Sequence, residues 1–217
     1  MGTTHYPRSR LEDLSVFDEW WRSGVWASSP SPLARRRLEA AIALLGDRRY
    51  ERALEIGCGT GAFARTLAPL AGRVVALDAS REAIRIATSS APAPNVGFEV
   101  ANVMEYDLAA EGPWELVAIS ETLPYIGWAY SLYDLGWLLD EVFAAMAPRG
   151  RLLLVDTCSG ADDPLYEPWL IATYRDLARN VGFVPEREEV LEGEENGVDY
   201  GFLLSLFTRP AGGGPAR

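Results

Sequence analysis

The sequence predicts an α/β protein in which seven short strands form one mostly parallel sheet with helices on its faces. Short apolar runs rich in Val, Ile and Leu alternate with helical patterns along most of the chain, which is typical of parallel sheets. Near the C-terminus two strand-like runs flank the turn-forming stretch 194–197, which indicates an antiparallel hairpin. With 217 residues and 48% hydrophobic side chains, the chain can form a single domain with a sizeable core.

Two helices precede the sheet and form a predicted helical lid over residues 11–46. An amphipathic pattern covers Leu11–Arg22, a breaker-rich stretch follows it, and a second helical pattern covers Leu33–Leu45. The ends of the chain, 1–10 and 210–217, are polar or rich in Gly and Pro, so we expect them to be loose.

The first β-α-β unit is predicted around a glycine-rich turn. Ala53–Ile56 is a short apolar strand, Ala62–Leu70 follows as a helix, and Arg73–Asp78 is an apolar strand that ends in a carboxylate. Ser80 is placed to cap the helix Arg81–Ser89 with its side-chain oxygen. The remaining strands are predicted at Val96–Val100, Leu116–Ser120 and Arg151–Asp156, the remaining helices at 132–147 and 165–181, and the hairpin strands at Glu188–Leu191 and Tyr200–Thr208.

Composition and charge exclude several classes of function. The chain carries 20 basic and 31 acidic residues, a net charge of −11, and such a surface repels the phosphate backbone of nucleic acids. All basic residues are Arg, so no lysine can form a Schiff base, and the single histidine, His5, lies in the polar N-terminal segment. Cys58 and Cys158 stand far apart in the sequence, which excludes a zinc site built on C-x-x-C motifs.

The N-terminal residues lack the apolar segment of a secretory signal, and no run reaches the roughly 18 apolar residues of a membrane span. Two isolated cysteines suit a reducing compartment. We therefore expect a cytoplasmic monomer or homodimer that acts on a small molecule, without a metal, a nucleic acid or a membrane as partner.

A glycine-rich loop after the first strand is the strongest indication of function. Gly57, Gly59 and Gly61 occupy alternate positions, so the backbone can approach a ligand and turn it toward a helix N-terminus. Asp78 ends the next strand, where open α/β sheets bind ligands, and its carboxylate is placed either to bind ribose hydroxyls or to cap a helix. Gly57, Gly59 and Ala62 also match the G-x-G-x-x-A pattern, so the loop alone leaves a nicotinamide cofactor open.

Glu55 stands two residues before the first glycine and gives the pattern Glu-x-Gly-x-Gly-x-Gly. With it the stretch 54–61 resembles the first motif of the class I S-adenosylmethionine (SAM) dependent methyltransferases, and the resemblance covers roughly residues 53–208. It implies a Rossmann-like fold, SAM as cofactor and methyl transfer as activity. The cofactor contacts that it implies in this part of the chain are Glu55, Gly57, Cys58, Gly59, Gly61, Asp78, Ala79, Asn102 and Val103.

Asn102-Val103 departs from the commonest pattern of that family, in which an Asp beside the adenine amino group follows the third strand. The amide oxygen of Asn102 can still accept a hydrogen bond from an amino group, and Val103 can cover a ring face. Adenine binding is therefore still expected at this pair.

The segment 120–126 resembles one particular group of methyltransferases. It is similar to the NodS-type methyltransferases, which N-methylate the sugar amine of an acylated chitooligosaccharide precursor. This resemblance implies that Ser120 contacts SAM, and that Trp26 and one arginine of 35–37, here taken as Arg36, close over the methionine end of the cofactor. A run of three arginines on a helix is equally typical of a solvated face.

Glu121 and Tyr125 are the predicted catalytic residues. A carboxylate at the end of the fourth strand can hold an ammonium or hydroxyl of the acceptor and take its proton, or it can pair with an arginine of the lid. Tyr130 and Asp156 are predicted to bind the acceptor, although ordinary packing also accounts for the tyrosine, and helix capping or solvation for the aspartate.

The expected activity is methyl transfer from SAM to an amine or hydroxyl of a small polar, sugar-like or natural-product acceptor. A neutral amine attacks without strong base help, which suits a sequence without Lys and with one His outside the predicted sheet. Two alternatives stay open. A nicotinamide-dependent reductase shares the glycine loop and Asp78, and a non-catalytic SAM-binding protein shares every cofactor motif.

Overall fold

The computed structural model describes residues 14–26, 30–160 and 163–212. Seven strands in these residues form one sheet. The strands are β1 (Tyr50–Ile56), β2 (Ala71–Asp78), β3 (Val96–Val100), β4 (Trp114–Ser120), β5 (Met146–Ser159), β6 (Val184–Glu195) and β7 (Val198–Thr208). The α-helices are α1 (Ser15–Ser23), α2 (Pro32–Leu45), α3 (Ala62–Leu67), α4 (Arg81–Ser89), α5 (Leu123–Ala129), α6 (Leu132–Ala145) and α7 (Pro168–Val181). Short 3-10 helices lie at Ala68–Leu70, Val103–Glu105 and Pro164–Tyr166.

β1 lies near the centre of the sheet, whose strand order is β3-β2-β1-β4-β5-β7-β6. The first five strands pair in parallel, with Leu54 beside Val75 of β2 and Val117 of β4, and β7 is antiparallel to both of its neighbours. The chain runs outward from β1 to β3 and then returns to the other side of β1. The loops after β1 and β4 therefore diverge and leave a crevice at the carboxyl ends of the strands, where open α/β sheets bind ligands.

Two apolar cores hold the helices against the two faces of the sheet. One face carries α2, α3 and α4, which bury Leu44, Phe63 and Ile84. The other face carries α5, α6 and α7, which bury residues such as Leu139 and Tyr174. Because the central strands are covered on both faces, their sequences contain apolar runs, such as Val74–Leu77 and Leu116–Ile119, rather than alternating patterns.

Helix α1 is fixed to the start of α4 by the carboxylate of Asp18. Its Oδ1 atom accepts hydrogen bonds from Ser80 Oγ at 2.6 Å and from the backbone N–H of Glu82 at 3.0 Å. These donors lie at a helix N-terminus, where backbone amides lack partners within the helix and a negative charge is favourable. Helix α2 follows Ser31, whose Oγ accepts from the backbone N–H of Ala34 at 3.1 Å. Asp18 thus anchors α1 to α4, and Ser31 caps the N-terminus of α2.

The predicted fold class is confirmed, with differences in single elements. The helix predicted at Leu11–Arg22 is present as α1, and residues 11–13 of that prediction lie outside the described residues. Helix α5 was not predicted, because Pro124 and Gly127 obscure its pattern, although Pro is tolerated in a first helical turn. His5 and the ends 1–10 and 213–217 also lie outside the described residues.

Candidate active site

A cavity of about 490 Å³ opens at the carboxyl edge of the sheet, between the lid and the loops that follow the parallel strands. This volume is in the range of small-molecule sites. The loops that follow the first three parallel strands line one part of it, with Gly57, Cys58, Gly59 and Thr60 after β1, Asp78 and Ala79 after β2, and Asn102 and Val103 after β3. The segment after β4 lines another part with Ser120, Glu121, Thr122 and Tyr125. The lid contributes Trp26 and Arg37.

The glycine loop forms a backbone floor for this cavity. The N–H groups of Gly57 and Cys58 donate to the carbonyl of Leu77 at 2.8 and 2.9 Å, which ties the loop to the end of β2. Gly57 has a φ of 75°, and a Cβ atom there would overlap the side chain of Thr122. Only glycine fits both the conformation and the space, so the floor stays free of side chains.

Asp78 holds the loop and faces the cavity. Its Oδ2 accepts from the N–H of Gly59 at 2.8 Å, and its Oδ1 accepts from the N–H of Ser80 at 2.8 Å. Burial raises the pKa of Asp78 to about 6, although these two backbone hydrogen bonds oppose the shift. The cap of α4 is Ser80 itself, whose Oγ accepts from the N–H of Ala83. Each oxygen of Asp78 therefore keeps one lone pair for a ligand hydroxyl.

Glu55 is buried in the cavity wall, with 2% of its surface exposed. Its carboxyl group accepts a hydrogen bond from the backbone N–H of Ala64, while Oε2 has no partner among the described residues. Burial first, and the negative charge of Asp78 second, raise the pKa of Glu55 to about 8. A buried oxygen without a partner on a cavity wall suits a polar group of a bound ligand.

Asn102 lies at the cavity with its amide held on both sides. Its Nδ2 donates to Tyr130 Oη at 2.8 Å and to Glu105 Oε1 at 3.1 Å, and its Oδ1 accepts from the N–H of Met104. The amide oxygen keeps a second lone pair that can accept from an adenine amino group, and Val103 lines the cavity beside it.

Tyr130 does not take the role predicted for it. It is 4% exposed, does not line the cavity, and accepts the hydrogen bond from Asn102. The reason is its position at the end of α5, which turns the ring into the core. Tyr130 is therefore a packed core residue, which is the alternative that the sequence left open. Its hydroxyl orients Asn102 and does not contact the cavity.

Glu121 pairs with the lid, which is the other alternative that the sequence left open. Its Oε1 and Oε2 accept from the N–H and Oγ1 of Thr157 at 2.5 and 2.8 Å. Its Oε2 also lies 3.3 Å from Nη1 of Arg37, and both side chains line the cavity. Glu121 has a φ of 55°, an uncommon conformation for a residue with a side chain. Such strain at a cavity wall is typical of functional positions.

Arg37, not the predicted Arg36, reaches the cavity. Arg36 is exposed and lies beside Gly193 of β6, whereas Arg37 packs its guanidinium over the ring of Phe202 and faces Glu121. Consecutive residues on a helix point about 100° apart, so only one arginine of the run can face inward.

Asp156 and Gly61 also differ from their predicted roles. The prediction placed Asp156 at the end of β5, but this strand continues to Ser159, so Asp156 pairs with Leu203 inside the sheet and is 3% exposed. Burial raises the pKa of Asp156 well above its usual range. Gly61 is buried and does not line the cavity, because it forms the N-cap of α3.

An aromatic cluster closes the cavity on the lid side, and most of it was missed in the sequence. Its members are Phe17, Trp20, Trp21, Trp26, Tyr125, Trp128 and Tyr166. Trp26 and Tyr125 are 5.2 Å apart between ring centroids, and Tyr166 Oη donates to Tyr125 Oη at 2.8 Å. The available signal was the spacing of three aromatic residues at positions 17, 20 and 21, on one face of an amphipathic helix.

A family model matches a little under half of the chain. The sequence model of a family described as "Methyltransferase domain" matches residues 53–150, from β1 through the glycine loop to the start of β5. This stretch of the chain is therefore similar to a methyltransferase domain. The fold is the one that the resemblance of the sequence implied.

Two named proteins are similar to the chain over most of its length. The chain is 27% identical to Nodulation protein S of Rhizobium tropici over 65% of this chain and 56% of that protein. It is also 27% identical to a malonyl-[acyl-carrier protein] O-methyltransferase of Pseudescherichia vulneris over 74% of this chain and 61% of that protein. The chain thus spans less than two thirds of the length of these relatives.

A solved structure has the same fold. The N-methyltransferase NodS from Bradyrhizobium japonicum WM9, in complex with S-adenosyl-l-homocysteine (SAH), superposes with a TM-score of 0.71 at 19% sequence identity. The superposition covers 89% of this chain and 98% of that one. At this identity the likeness establishes the fold alone.

The cavity offers partners for the polar groups of SAM, the cofactor that the resemblance of the sequence implied. Asp78 offers acceptors for ribose hydroxyls, and the unpartnered oxygen of Glu55 suits an ammonium group. Among the described residues, Arg37 is the one cationic side chain that lines the cavity, so it is the available partner for the cofactor's carboxylate. Within residues 14–26, 30–160 and 163–212, the helices are too short or too polar to span a lipid bilayer. The same residues contain no group of three His, Cys, Asp or Glu side chains that could hold a metal ion.

Glu55→Gln is expected to flatten the pH dependence of stability in the protein without cofactor. Since the folded-state pKa of Glu55 is raised from 4.5 to about 8, its contribution to stability is fully present below the unfolded value and is lost as the pH rises through about 8. One such proton changes the free energy of unfolding by up to about 1.4 kcal/mol per pH unit. Urea unfolding of both proteins between pH 6 and 8 measures this slope, and equal slopes would contradict the assignment.

Proposed function

We propose that this chain transfers the methyl group of SAM to an amine or hydroxyl of a small polar acceptor, with an amine favoured. The observation that carries the proposal is one continuous cavity that joins the glycine loop and Asp78 to Glu121 and Tyr125. A cofactor held by the glycine loop and Asp78 can thus contact an acceptor held by Glu121 and Tyr125 within the same cavity, under the lid.

The residues of the chain bind, orient and accept a proton. SAM, when bound, supplies a methyl group made electrophilic by its sulfonium. Asp78 and the glycine loop fix the nucleoside end of the cofactor. Glu121, held by Thr157, accepts a hydrogen bond from the acceptor and takes the proton that its nitrogen or oxygen loses. Alignment of the two reactants supplies most of the rate gain, about 7–11 kcal/mol in favourable cases.

The charges of the cavity favour an amine acceptor. Carboxylates of Asp78, Glu121 and Glu195 line it, against the single guanidinium of Arg37 among the described residues. Glu55 also lines it, but with a pKa of about 8 it is largely neutral below that pH in the protein without cofactor. The aromatic cluster adds ring faces that attract cations. Burial raises the pKa of Tyr125, so its phenol stays protonated and cannot act as the stronger base that a hydroxyl acceptor requires.

The two named relatives support both acceptor types. NodS is described as an N-methyltransferase, and the acyl-carrier-protein relative as an O-methyltransferase. A matched pair of acceptors therefore tests the choice directly. We expect glucosamine to be methylated faster than glucose, and benzylamine faster than benzyl alcohol.

The experiment incubates the purified protein with SAM and each of these four acceptors, and mass spectrometry detects SAH and the added methyl group. Methylation of the alcohols alone would reverse the preference for nitrogen. SAM binding without methylation of any acceptor in a wider panel of amines and alcohols would favour a non-catalytic SAM-binding protein. Binding of NADH without binding of SAM would favour the reductase and overturn the proposal.

A further inference from the structure

We propose that Arg37 bridges Glu121 and the carboxylate of SAM, so that binding of the cofactor loosens the hold of Arg37 on Glu121 and prepares it for the acceptor. This inference rests on the proposed function, because it places SAM in the cavity and an acceptor beside Glu121. It makes Arg37 a positioning residue for Glu121 as well as a cofactor contact.

The guanidinium of Arg37 uses only part of its donors. Its side chain is 17% exposed, and Nη1 lies 3.3 Å from Glu121 Oε2. Its Nε–H is buried and has no partner among the described residues. A guanidinium has five N–H donors, and its Nε side can bind a second carboxylate in a two-pronged arrangement. This buried donor is therefore available to a bound group.

Glu121 itself is fixed and offers little freedom to move. Thr157 holds both carboxylate oxygens through its backbone N–H and its hydroxyl. Arg37 is also held in place, because its guanidinium lies 5.1 Å from the centre of the Phe202 ring. The bridge is therefore built before the ligand arrives, which lowers the entropic cost of ordering the side chain on binding.

Two carboxylates that share one guanidinium compete for it. The charge on Glu121 weakens the attraction between Arg37 and the cofactor's carboxylate, and by thermodynamic reciprocity the cofactor weakens the pairing of Arg37 with Glu121 to the same degree. In the protein without cofactor, Glu121 is neutralised by Arg37. With cofactor bound, the charge of Glu121 is available to an ammonium or hydroxyl group, so cofactor and acceptor should each bind more tightly in the presence of the other.

The test compares SAH with decarboxylated SAH, which keeps the ammonium and lacks only the carboxylate. Isothermal titration is expected to give about 10- to 100-fold weaker SAH binding for Arg37→Ala, with decarboxylated SAH changed by less than about twofold. Glu121→Gln is expected to tighten SAH binding by about 3- to 10-fold and to leave decarboxylated SAH unchanged. The matched control is Arg36→Ala, which removes the same charge from an exposed position on the same helix and should leave SAH affinity within about twofold.

A bridge predicts weaker SAH binding for Arg37→Ala and tighter SAH binding for Glu121→Gln. A merely structural role of this ion pair would not change SAH affinity in opposite directions. Unchanged or weaker SAH binding by Glu121→Gln overturns the inference, and so does an equal loss of both ligands in Arg37→Ala. If melting curves show that Glu121→Gln is unfolded, Glu121→Asn removes the same charge with a residue that tolerates the left-handed conformation. A wild-type protein that binds neither SAH nor SAM refutes the proposed function, whereas normal SAH binding and methyl transfer without the tightening refute this inference alone.

Discussion

Asp78→Asn is expected to weaken SAH binding by roughly 100-fold or more. Charge-assisted hydrogen bonds to ligand hydroxyls contribute about 1.5–3 kcal/mol each, and the substitution removes the charge. The same substitution disturbs the floor of the site. Asn has one acceptor oxygen, so either Gly59 or Ser80 loses the partner of its buried N–H.

The measurement is isothermal titration with SAH, with Glu82→Gln as the matched control. Glu82 carries the same charge on the neighbouring helix α4, pairs there with Arg85, and does not line the cavity. The affinity of the control should stay within a few-fold of wild type, and a similar loss in both variants would reduce the effect to net charge. Affinity of Asp78→Asn within about threefold of wild type would remove Asp78 from the cofactor site.

The pH dependence of SAH binding gives an independent check on Asp78. Burial raises the pKa of this carboxyl group to about 6 in the protein without cofactor, so it becomes protonated as the pH falls through that value. Ligand hydroxyls favour the ionised form. Wild-type affinity for SAH should therefore decrease as the pH falls through about 6, and Asp78→Asn should lack that step.

The sequence predicted that the start of the glycine loop and Asp78 lie together at one edge of the sheet, because their signals are local. Gly57 and Gly59 are required by backbone conformation and close approach within one turn, and Asp78 ends a strand that is recognisable from its own residues. In a parallel sheet the ends of successive strands meet at one edge. Residues far apart in the sequence are therefore brought together by topology alone.

The residues around Glu121 could not be predicted to the same degree, because their positions depend on packing between distant elements. The phase of α2 decides that Arg37 faces Glu121 and that Arg36 does not, and this phase is set by contacts with β6 and β7. The true length of β5 moves Asp156 into the sheet. Glu195 reaches the cavity from the hairpin, a contact for which the sequence contains no local signal.

Gly57→Ala is expected to destabilise the protein by about 3–5 kcal/mol, a large part of the 5–15 kcal/mol of a typical domain. Two effects add. A Cβ atom at a φ of 75° is strained, and it would overlap the side chain of Thr122, which is fixed by hydrogen bonds from its Oγ1 to the carbonyls of Gly57 and Ser120. Urea unfolding measures the loss, and SAH binding should disappear with the displaced loop.

Gly197→Ala separates these two effects. Gly197 has a similar φ of 79°, yet a Cβ atom there would meet nothing within 4 Å. Its substitution should cost about 1–2 kcal/mol, the strain alone. The double variant Gly57→Ala, Thr122→Ala should then recover part of the difference, because it removes the overlapping atoms. Equal destabilisation by the two glycine substitutions, or no recovery in the double variant, would mean that the packing of Thr122 against the backbone does not set the shape of the cavity floor.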